Sequence, residues 1–213
     1  MKTEVLCNEI NLTNTLQCIF ESTLHNVDKI CMTLGVLGRM DEDFVNNHGT
    51  FSCVVDYPLG INFTPARIHQ ILLAADRGIQ CIDIVVNTHD LEAKNSAAIT
   101  KDIRACATAC DAKGVMIRPV IEYRVSDTDF VFDLCDKLQK MGICEIIVGT
   151  GAVVDDLLDN IIISKRIEKL LDVDVISCAP ILCQEHYELF HQSEISGIRI
   201  KSFKVLNNLC IVE

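Results

Sequence analysis

Five charged residues stand inside apolar segments of this sequence, where a ligand pocket or a reactive site would need them. They are Asp83 in segment 81–87, Arg118 and Glu122 in segment 115–122, and Arg199 and Lys201 in segment 197–202. Because every second residue of a β-strand lies on the same face, Arg118 shares a face with Glu122, and Arg199 shares one with Lys201. A cluster of this composition would be roughly charge-balanced and would bind an anionic or sugar ligand.

Two interpretations of these charges stay open. Buried charges persist mainly when they are paired with opposite charges, so the residues could form a salt-bridge network at the centre of the fold. Alternatively, they could hold a ligand at the ends of the strands that carry them. Lys201 adds a further chemistry, because a lysine amine can form a Schiff base with a carbonyl substrate. An exposed or salt-bridged lysine is the ordinary alternative.

Sulfur and imidazole groups near the C-terminus raise the question of a metal site. Cys183, His186 and His191 include a Cys-x-x-His half-site. A structural zinc site needs a second half at matching spacing, and no other histidine of the sequence supplies one convincingly. We therefore predict no metal and no cofactor.

The elements that must position these residues alternate along the chain, with short β-branched segments followed by longer segments of helical periodicity. The predicted strands lie near 5–12, 29–34, 51–57, 81–87, 115–122, 145–150, 173–178 and 197–202. The predicted helices lie near 13–25, 40–48, 64–77, 95–113, 127–141, 155–171, 183–192 and 203–211. The chain therefore consists of eight strand–helix units.

Capping residues support several of these helix boundaries. Thr64 followed by Pro65 predicts a helix start with Thr64 as N-cap. Ser126, followed by acidic residues, predicts another N-cap. Three glycines follow predicted helices at the position of a left-handed C-cap, namely Gly78, Gly114 and Gly142.

Eight strand–helix units form either a closed barrel or an open doubly wound sheet. No Gly-x-Gly-x-x-Gly follows the first strand, so the nucleotide-binding form of the open sheet lacks its signature. A length of 213 residues fits eight units in a compact barrel. We predict an α/β protein, a single compact (β/α)8 TIM barrel domain over residues 1–213.

Composition excludes several classes of partner. The net charge of −11 argues against nucleic acid and against anionic membranes. We find neither a membrane-spanning apolar run nor a signal peptide, and we expect a cytoplasmic protein. None of the 12 cysteines forms a Cys-x-x-Cys pair, so we expect reduced thiols. A homodimer is one oligomeric state that the sequence allows.

Four segments, in order along the chain, resemble stretches of the deoxyribose-phosphate aldolase family. They are Ile30-Cys31-Met32-Thr33, Val54-Val55-Asp56-Tyr57-Pro58-Leu59-Gly60, Cys81-Ile82-Asp83-Ile84-Val85-Val86-Asn87 and Pro119-Val120-Ile121-Glu122. The resemblance covers residues 29–154 well and the remainder loosely. It implies a parallel barrel in which Asp83 points into the lumen, with Val85 and Asn87 on the same face.

The resemblance also implies a chemistry that this sequence cannot perform in the family's way. The family makes or breaks a carbon–carbon bond in 2-deoxyribose 5-phosphate through a Schiff-base lysine on strand six, helped by a lysine on strand seven and by the strand-four aspartate. Here no lysine occurs between Lys140 and Lys165, where Val148 takes the family position, and none occurs between Lys169 and Lys201.

Two further departures concern charge and phosphate binding. Arg118 stands at the family's strand-five lysine, and an arginine keeps its charge and cannot act as the nucleophile. The paired glycines of strand seven, which help the family hold phosphate, are missing. Gly149 and Gly151 keep part of a phosphate-binding turn.

The candidate catalytic residues are therefore Asp83 and Lys201. The candidate ligand-binding residues are Asn87, Arg118, Glu122, Gly149, Thr150, Gly151, Arg199 and Ser202. We expect a catalytically silent or repurposed aldolase-like barrel, a pseudoenzyme, that binds a small phosphorylated sugar or a protein partner. One alternative is an active class I aldolase, a carbon–carbon lyase, with Lys201 as a relocated Schiff-base lysine. The other is an interaction protein whose pocket has closed.

Overall fold

Eight parallel strands close into a barrel in which each strand pairs with the next and β8 pairs with β1. In the computed structural model, residues 1–8, 11–25, 27–48, 50–153, 156–201 and 209 are described. The strands are β1 (Lys2–Cys7), β2 (Lys29–Thr33), β3 (Phe51–Val55), β4 (Cys81–Val85), β5 (Met116–Ile121), β6 (Glu145–Val148), β7 (Asp174–Cys178) and β8 (Gly197–Ile200). The predicted (β/α)8 barrel is confirmed.

Helices follow the strands and cover the barrel. They are α1 (Leu12–Leu24), α2 (Leu34–Leu37), α3 (Glu42–His48), α4 (Thr64–Asp76), α5 (Thr88–Glu92), α6 (Ser96–Asp111), α7 (Thr128–Gln139), α8 (Leu157–Leu170) and α9 (Gln184–Gln192), with a 3-10 turn at Tyr123–Val125. The predicted helix over 203–211 lies outside the described residues except for Leu209, which is buried. No described helix is long and apolar enough to cross a membrane.

Three predicted boundaries are wrong. The first strand is not at 5–12, because β1 spans Lys2–Cys7, and its polar start is accommodated because Glu4 faces the lumen. Thr64 is not an N-cap: Phe63 occupies that position, and the Thr64 hydroxyl donates to Asp102 at 2.6 Å. Asp127, not Ser126, caps α7, accepting from the Phe130 amide at 2.8 Å.

The left-handed C-caps are confirmed, because Gly78, Gly114 and Gly142 have φ angles of 86°, 66° and 90°. A side chain at such an angle is strained, and glycine is not. These turns return the chain from each helix to the next strand, at the end of the barrel opposite the mouth.

Alternation along the strands separates two apolar cores. Ile146 and Val148 pack in the core between barrel and helices, whereas Ile147 points into the lumen. Val148, which takes the family's lysine position in the sequence, therefore lies outside the lumen. A set of lumen side chains, called here the apolar lumen layer, consists of Leu6, Cys31, Val54, Val85, Val120, Ile147, Ile176 and Cys178.

Candidate functional site

Charged side chains fill the lumen beneath the apolar lumen layer and bind one another. Arg118 donates to Asp83 at 2.7 Å, to Glu4 at 2.6 Å and to Glu145 at 2.5 Å. Arg199 donates to Glu4 at 2.5 Å and to Asp83 at 2.8 Å. These five residues are called the interior ion network. The structure thus brings together three predicted site residues, Asp83, Arg118 and Arg199.

The interior ion network is sealed from the mouth of the barrel. Asp83 and Arg118 are 0% exposed and Arg199 is 2% exposed. Two residues further along the same strands, Val85 and Val120 belong to the apolar lumen layer, so that layer separates the charges from the C-terminal mouth. Asp83 faces the lumen as predicted, but it lies below any ligand that the mouth could hold.

Electrostatics keep the network charged. Burial acts to raise the pKa of Asp83, but Arg118 and Arg199 outweigh it and hold that pKa well below its usual range. Glu145 behaves in the same way, with Arg118 and Lys2 lowering its pKa against the effect of burial. Ser52 donates a further hydrogen bond to Asp83 at 3.0 Å. The carboxylates are thus fixed as counter-ions for the two arginines.

Above the apolar lumen layer, Glu122 joins the end of β5 to the loop after β6. Oε2 of Glu122 accepts from the Thr150 amide at 3.0 Å and from the Thr150 hydroxyl at 2.6 Å. Nη1 of Arg124 lies 4.0 Å from Oε1, and its guanidinium stacks on the Tyr123 ring. The structure thus brings two of the predicted ligand-binding residues, Glu122 and Thr150, into direct contact.

Lys201 reaches across the mouth. A Cβ placed on Gly151 would overlap Cδ of Lys201 and would lie 2.9 Å from Sγ of Cys178. Lys201 follows β8, Cys178 is the last residue of β7, and Gly151 lies in the turn after β6. The side chain of Lys201 therefore extends past the end of β7 to the turn after β6. Burial raises the pKa of the Cys178 thiol to about 11. The mouth therefore holds a half-buried lysine beside a neutral thiol.

The glycine turn after β6 uses most of its own amide groups. The Gly149 amide donates to the Ile121 carbonyl at 2.8 Å, and the Ala152 amide donates to the Thr150 hydroxyl at 3.1 Å. Asp156 caps α8 by accepting from two amides of its first turn, at 2.8 and 3.3 Å. A phosphate would need these amides, and it would meet a carboxylate at the helix start.

Two remaining site predictions have different outcomes. Asn87 faces α5 as its N-cap, and its side-chain oxygen accepts from the His89 and Asp90 amides at 3.0 and 3.2 Å. The same oxygen is therefore committed to the helix. Ser202 lies outside the described residues.

Sequence reasoning missed Tyr57 as a residue of the mouth. Its ring packs against the apolar lumen layer, and its hydroxyl accepts a hydrogen bond from Asn8 at 3.1 Å. Burial raises the pKa of Tyr57 to about 12. The signal was its position in the Val54–Gly60 segment, at the end of a predicted strand.

Sulfur groups lie mostly inside the core. Eleven cysteines are described as free thiols, of which Cys144 is exposed and Cys183 half-buried. Among the described residues no three His, Cys, Asp or Glu side chains are grouped to hold a metal ion. Nδ1 of His186 instead lies 3.4 Å from the Pro180 carbonyl oxygen.

Comparisons with known sequences agree on one family. No protein-family profile matches the chain. A deoxyribose-phosphate aldolase of Mycoplasmopsis synoviae is 23% identical over 202 residues, which are 93% of this chain and 88% of that relative. One of Histophilus somni is 22% identical over 131 residues, which are 62% of this chain and 58% of that relative. The second match thus spans less than two thirds of that relative.

Solved structures agree on the fold. A deoxyribose phosphate aldolase from Aeropyrum pernix, described as tetrameric, has a TM-score of 0.82 at 15% identity, covering 97% of this chain and 87% of that one. An aldolase named QR15 has a TM-score of 0.76 at 15% identity, and the match covers 96% of this chain and 91% of that one. The chain therefore resembles deoxyribose-phosphate aldolases in sequence and has the fold of an aldolase-like (β/α)8 barrel.

Proposed function

We propose that this barrel no longer performs aldol chemistry and instead binds a small ligand or a protein partner at its C-terminal mouth. The observation that carries the proposal is the interior ion network. Both oxygens of Asp83 accept hydrogen bonds beneath the apolar lumen layer. Proton transfer, in contrast, needs a carboxylate within reach of the substrate. Neither β6 nor β7 contains a lysine.

The ligand that we propose for the centre of the mouth is a small phosphorylated sugar held by Lys201. The ammonium group supplies positive charge near the turn after β6, where Gly151 leaves room for the aliphatic chain of Lys201. The neighbouring amides are already bonded within the protein. We therefore expect binding through one cation, weaker than in a complete amide cradle.

A protein partner would use the apolar residues at the rim. In the loop between β3 and α4, Leu59, Ile61 and Phe63 are 47%, 44% and 87% exposed. Exposed apolar groups gathered at one end of a barrel favour an interaction surface. A thermal-shift series with sugar phosphates distinguishes a sugar-phosphate site from a protein-binding surface, because only a sugar phosphate that binds the folded protein raises its melting temperature.

The decisive experiment incubates the protein with 2-deoxyribose 5-phosphate and borohydride and then measures the intact mass. Borohydride reduces a Schiff base to a stable adduct, so a silent protein keeps its original mass. A stoichiometric adduct would defeat the proposal.

One alternative has an observation in its favour. The Lys201 chain reaches the turn after β6, the strand on which the family carries its Schiff-base lysine. If the borohydride adduct forms and is absent from Lys201→Ala, an active aldolase with a relocated lysine replaces the silent barrel. The arrangement disfavours this chemistry because Asp83 is sealed below, and misplaced groups can cost about a hundredfold in rate.

A further inference from the structure

A cavity of about 480 Å³ opens beside the mouth, next to the turn after β6. Its walls come from the segments that follow β3, β4, β5 and β6, and they include Leu59, His89 of α5, Val125 and Val153. A volume of this size suits a small organic molecule. The cavity does not include Lys201, so an inference about it stands apart from the function proposed above.

Glu122 lines this cavity and has one carboxylate oxygen that accepts no hydrogen bond from the described residues. The residue is 2% exposed and lines the cavity wall. Its Oε2 already accepts both bonds from Thr150, whereas Oε1 is buried and accepts no hydrogen bond from any described residue. A buried acceptor without a donor is unfavourable, because it has lost its hydrogen bonds to water and gained none in return. The site therefore gains most from a ligand that brings a hydrogen-bond donor.

Charge decides which kind of donor fits. Nη1 of Arg124 lies 4.0 Å from Oε1 of Glu122, so an ammonium bound to that oxygen would also meet a guanidinium. A carboxylate or phosphate would face Glu122 without a proton to donate. A hydroxyl carries no charge, donates to Oε1 and can accept from a neighbouring donor.

The rest of the ligand must be apolar, because Leu59, Val125 and Val153 form much of the wall. We propose that this cavity is a binding site for a small uncharged alcohol, a hydroxyl group on a short aliphatic body, with Glu122 as the acceptor that selects it. Neither the phosphate chemistry of the family nor Lys201 enters this recognition.

The test compares two isomers that differ in the donor alone. The probes are 3-methylbutan-1-ol and isobutyl methyl ether, with 3-methylbutan-1-amine as the charged analogue. Binding is followed by nuclear magnetic resonance at the Thr150 amide, which donates to Glu122. We expect the alcohol to bind about tenfold more tightly than the ether, the value of one hydrogen bond to a charged acceptor, and more tightly than the amine.

Variants assign that preference to Glu122. In Glu122→Gln the amide oxygen keeps the Thr150 bonds and turns a donor into the cavity, so the alcohol should lose its advantage over the ether. Val153→Phe should weaken both probes by filling the cavity. Leu158→Phe, at an exposed position of α8 that does not line the cavity, should leave them unchanged.

Several results would overturn the inference. They are an alcohol that leaves the Thr150 amide unmoved, an ether or an amine that binds as tightly as the alcohol, and an alcohol preference that survives in Glu122→Gln. If Glu122→Gln does not fold, equal binding of the alcohol to Val153→Phe and Leu158→Phe would reject it. None of these outcomes depends on whether borohydride traps an adduct at Lys201.

Discussion

Asp83 receives four hydrogen bonds from side chains, from Arg118 and Cys81 at Oδ1 and from Arg199 and Ser52 at Oδ2. A general acid or base must keep an oxygen within reach of the substrate. The same aspartate that the family uses for proton transfer is here engaged on every side by protein groups. Its geometry favours the role of a counter-ion.

Replacing Asp83 with asparagine should therefore reduce stability. The substitution leaves Arg118 and Arg199 with uncompensated buried charge, and breaking such a pair costs about 3–5 kcal/mol. Urea unfolding followed by circular dichroism measures the loss.

The matched control is Asp136→Asn, which removes an exposed ion pair with Lys140 on α7. Exposed pairs contribute less than about 1 kcal/mol. Equal, small losses in the two variants would show that the interior ion network does not stabilise the barrel.

At the scale of elements, the turn between β6 and α8 depends on glycine for two reasons. Gly151 has a φ of 69°, and a Cβ there would overlap Lys201 and Cys178. Gly142 has a φ of 90°, but a Cβ there would meet no atom within 4 Å. Substitutions at Gly151 and Gly142 therefore separate the destabilisation caused by backbone strain from that caused by steric overlap.

Gly151→Ala should destabilise the protein more than Gly142→Ala. The second variant carries only backbone strain, about 1 kcal/mol. The first must also displace the lysine chain, so its free energy of unfolding should fall further, and the environment of the Lys201 side chain should change in nuclear magnetic resonance spectra. Equal losses would mean that Lys201 does not rest on the turn.

The outer face of α1 is apolar along its length. Leu12, Leu16, Phe20 and Leu24 are spaced by four and are 41%, 39%, 59% and 70% exposed. The helix carries one charged residue, Glu21, in a chain of net charge −11. Two copies of this acidic chain would repel least where their α1 helices meet, so a second copy is the partner that we expect on this stripe.

Phe20→Glu should convert such a dimer to a monomer, because it places a carboxylate at the centre of the stripe. Light scattering after size-exclusion chromatography measures the mass. Asn14→Glu, exposed on α1 but outside the stripe, should leave the dimer intact. A native protein that is already monomeric would contradict the expectation.

Local sequence signals predicted most of the strands and helices, but they misplaced β1, missed α5 and assigned Asn87 to a ligand. β1 was misplaced because Lys2 and Glu4 look like a solvated terminus, and only the arginines of β5 and β8 explain a buried glutamate there. α5 was missed because five residues give no helical period. Asn87, predicted as a ligand residue from strand alternation, was taken by that short helix as its cap.

The candidate site shows the same limit. The family resemblance indicated that Asp83 faces the lumen, and alternation gave the residues that share a face on each strand. Neither carries information on depth, so the apolar lumen layer above Asp83, Arg118 and Arg199 was not predicted. The reach of Lys201 to the turn after β6, and the contact between Glu122 and Thr150, join segments far apart in sequence. Both depend on barrel closure.

At the scale of the whole molecule, the interior ion network makes stability depend on pH. Asp83 and Glu145 have pKa values lowered from 3.8 and 4.5. A carboxyl whose pKa is lower in the folded protein than in the unfolded chain stabilises the fold at pH values above its unfolded-state pKa. This stabilisation is lost as the pH falls towards and through its folded-state pKa. The loss of stability therefore begins below about pH 5, where unfolded Glu145 and Asp83 start to take up protons, and it continues to lower pH.

We expect the free energy of unfolding to fall as pH is lowered from about 5 to about 3. In this range the carboxylates protonate in the unfolded chain but stay ionised in the folded network. Urea unfolding at several pH values measures this dependence. Glu145→Gln removes one of the two network carboxylates whose pKa is lowered and should flatten the curve. A Glu145→Gln curve parallel to that of the native protein would exclude the network as the source.

The apolar lumen layer also divides the barrel into two parts that can change independently. In an enzyme whose lumen charges act on the substrate, each new specificity disturbs the groups that hold the strands together. Here those groups lie below the layer, and the loops around the mouth lie above it. Substitutions at exposed positions of the loop after β3, such as Leu59, Ile61 and Phe63, can therefore alter which ligand or partner is recognised without disturbing the interior ion network. The barrel can acquire a new ligand and keep the ion pairs that join its strands.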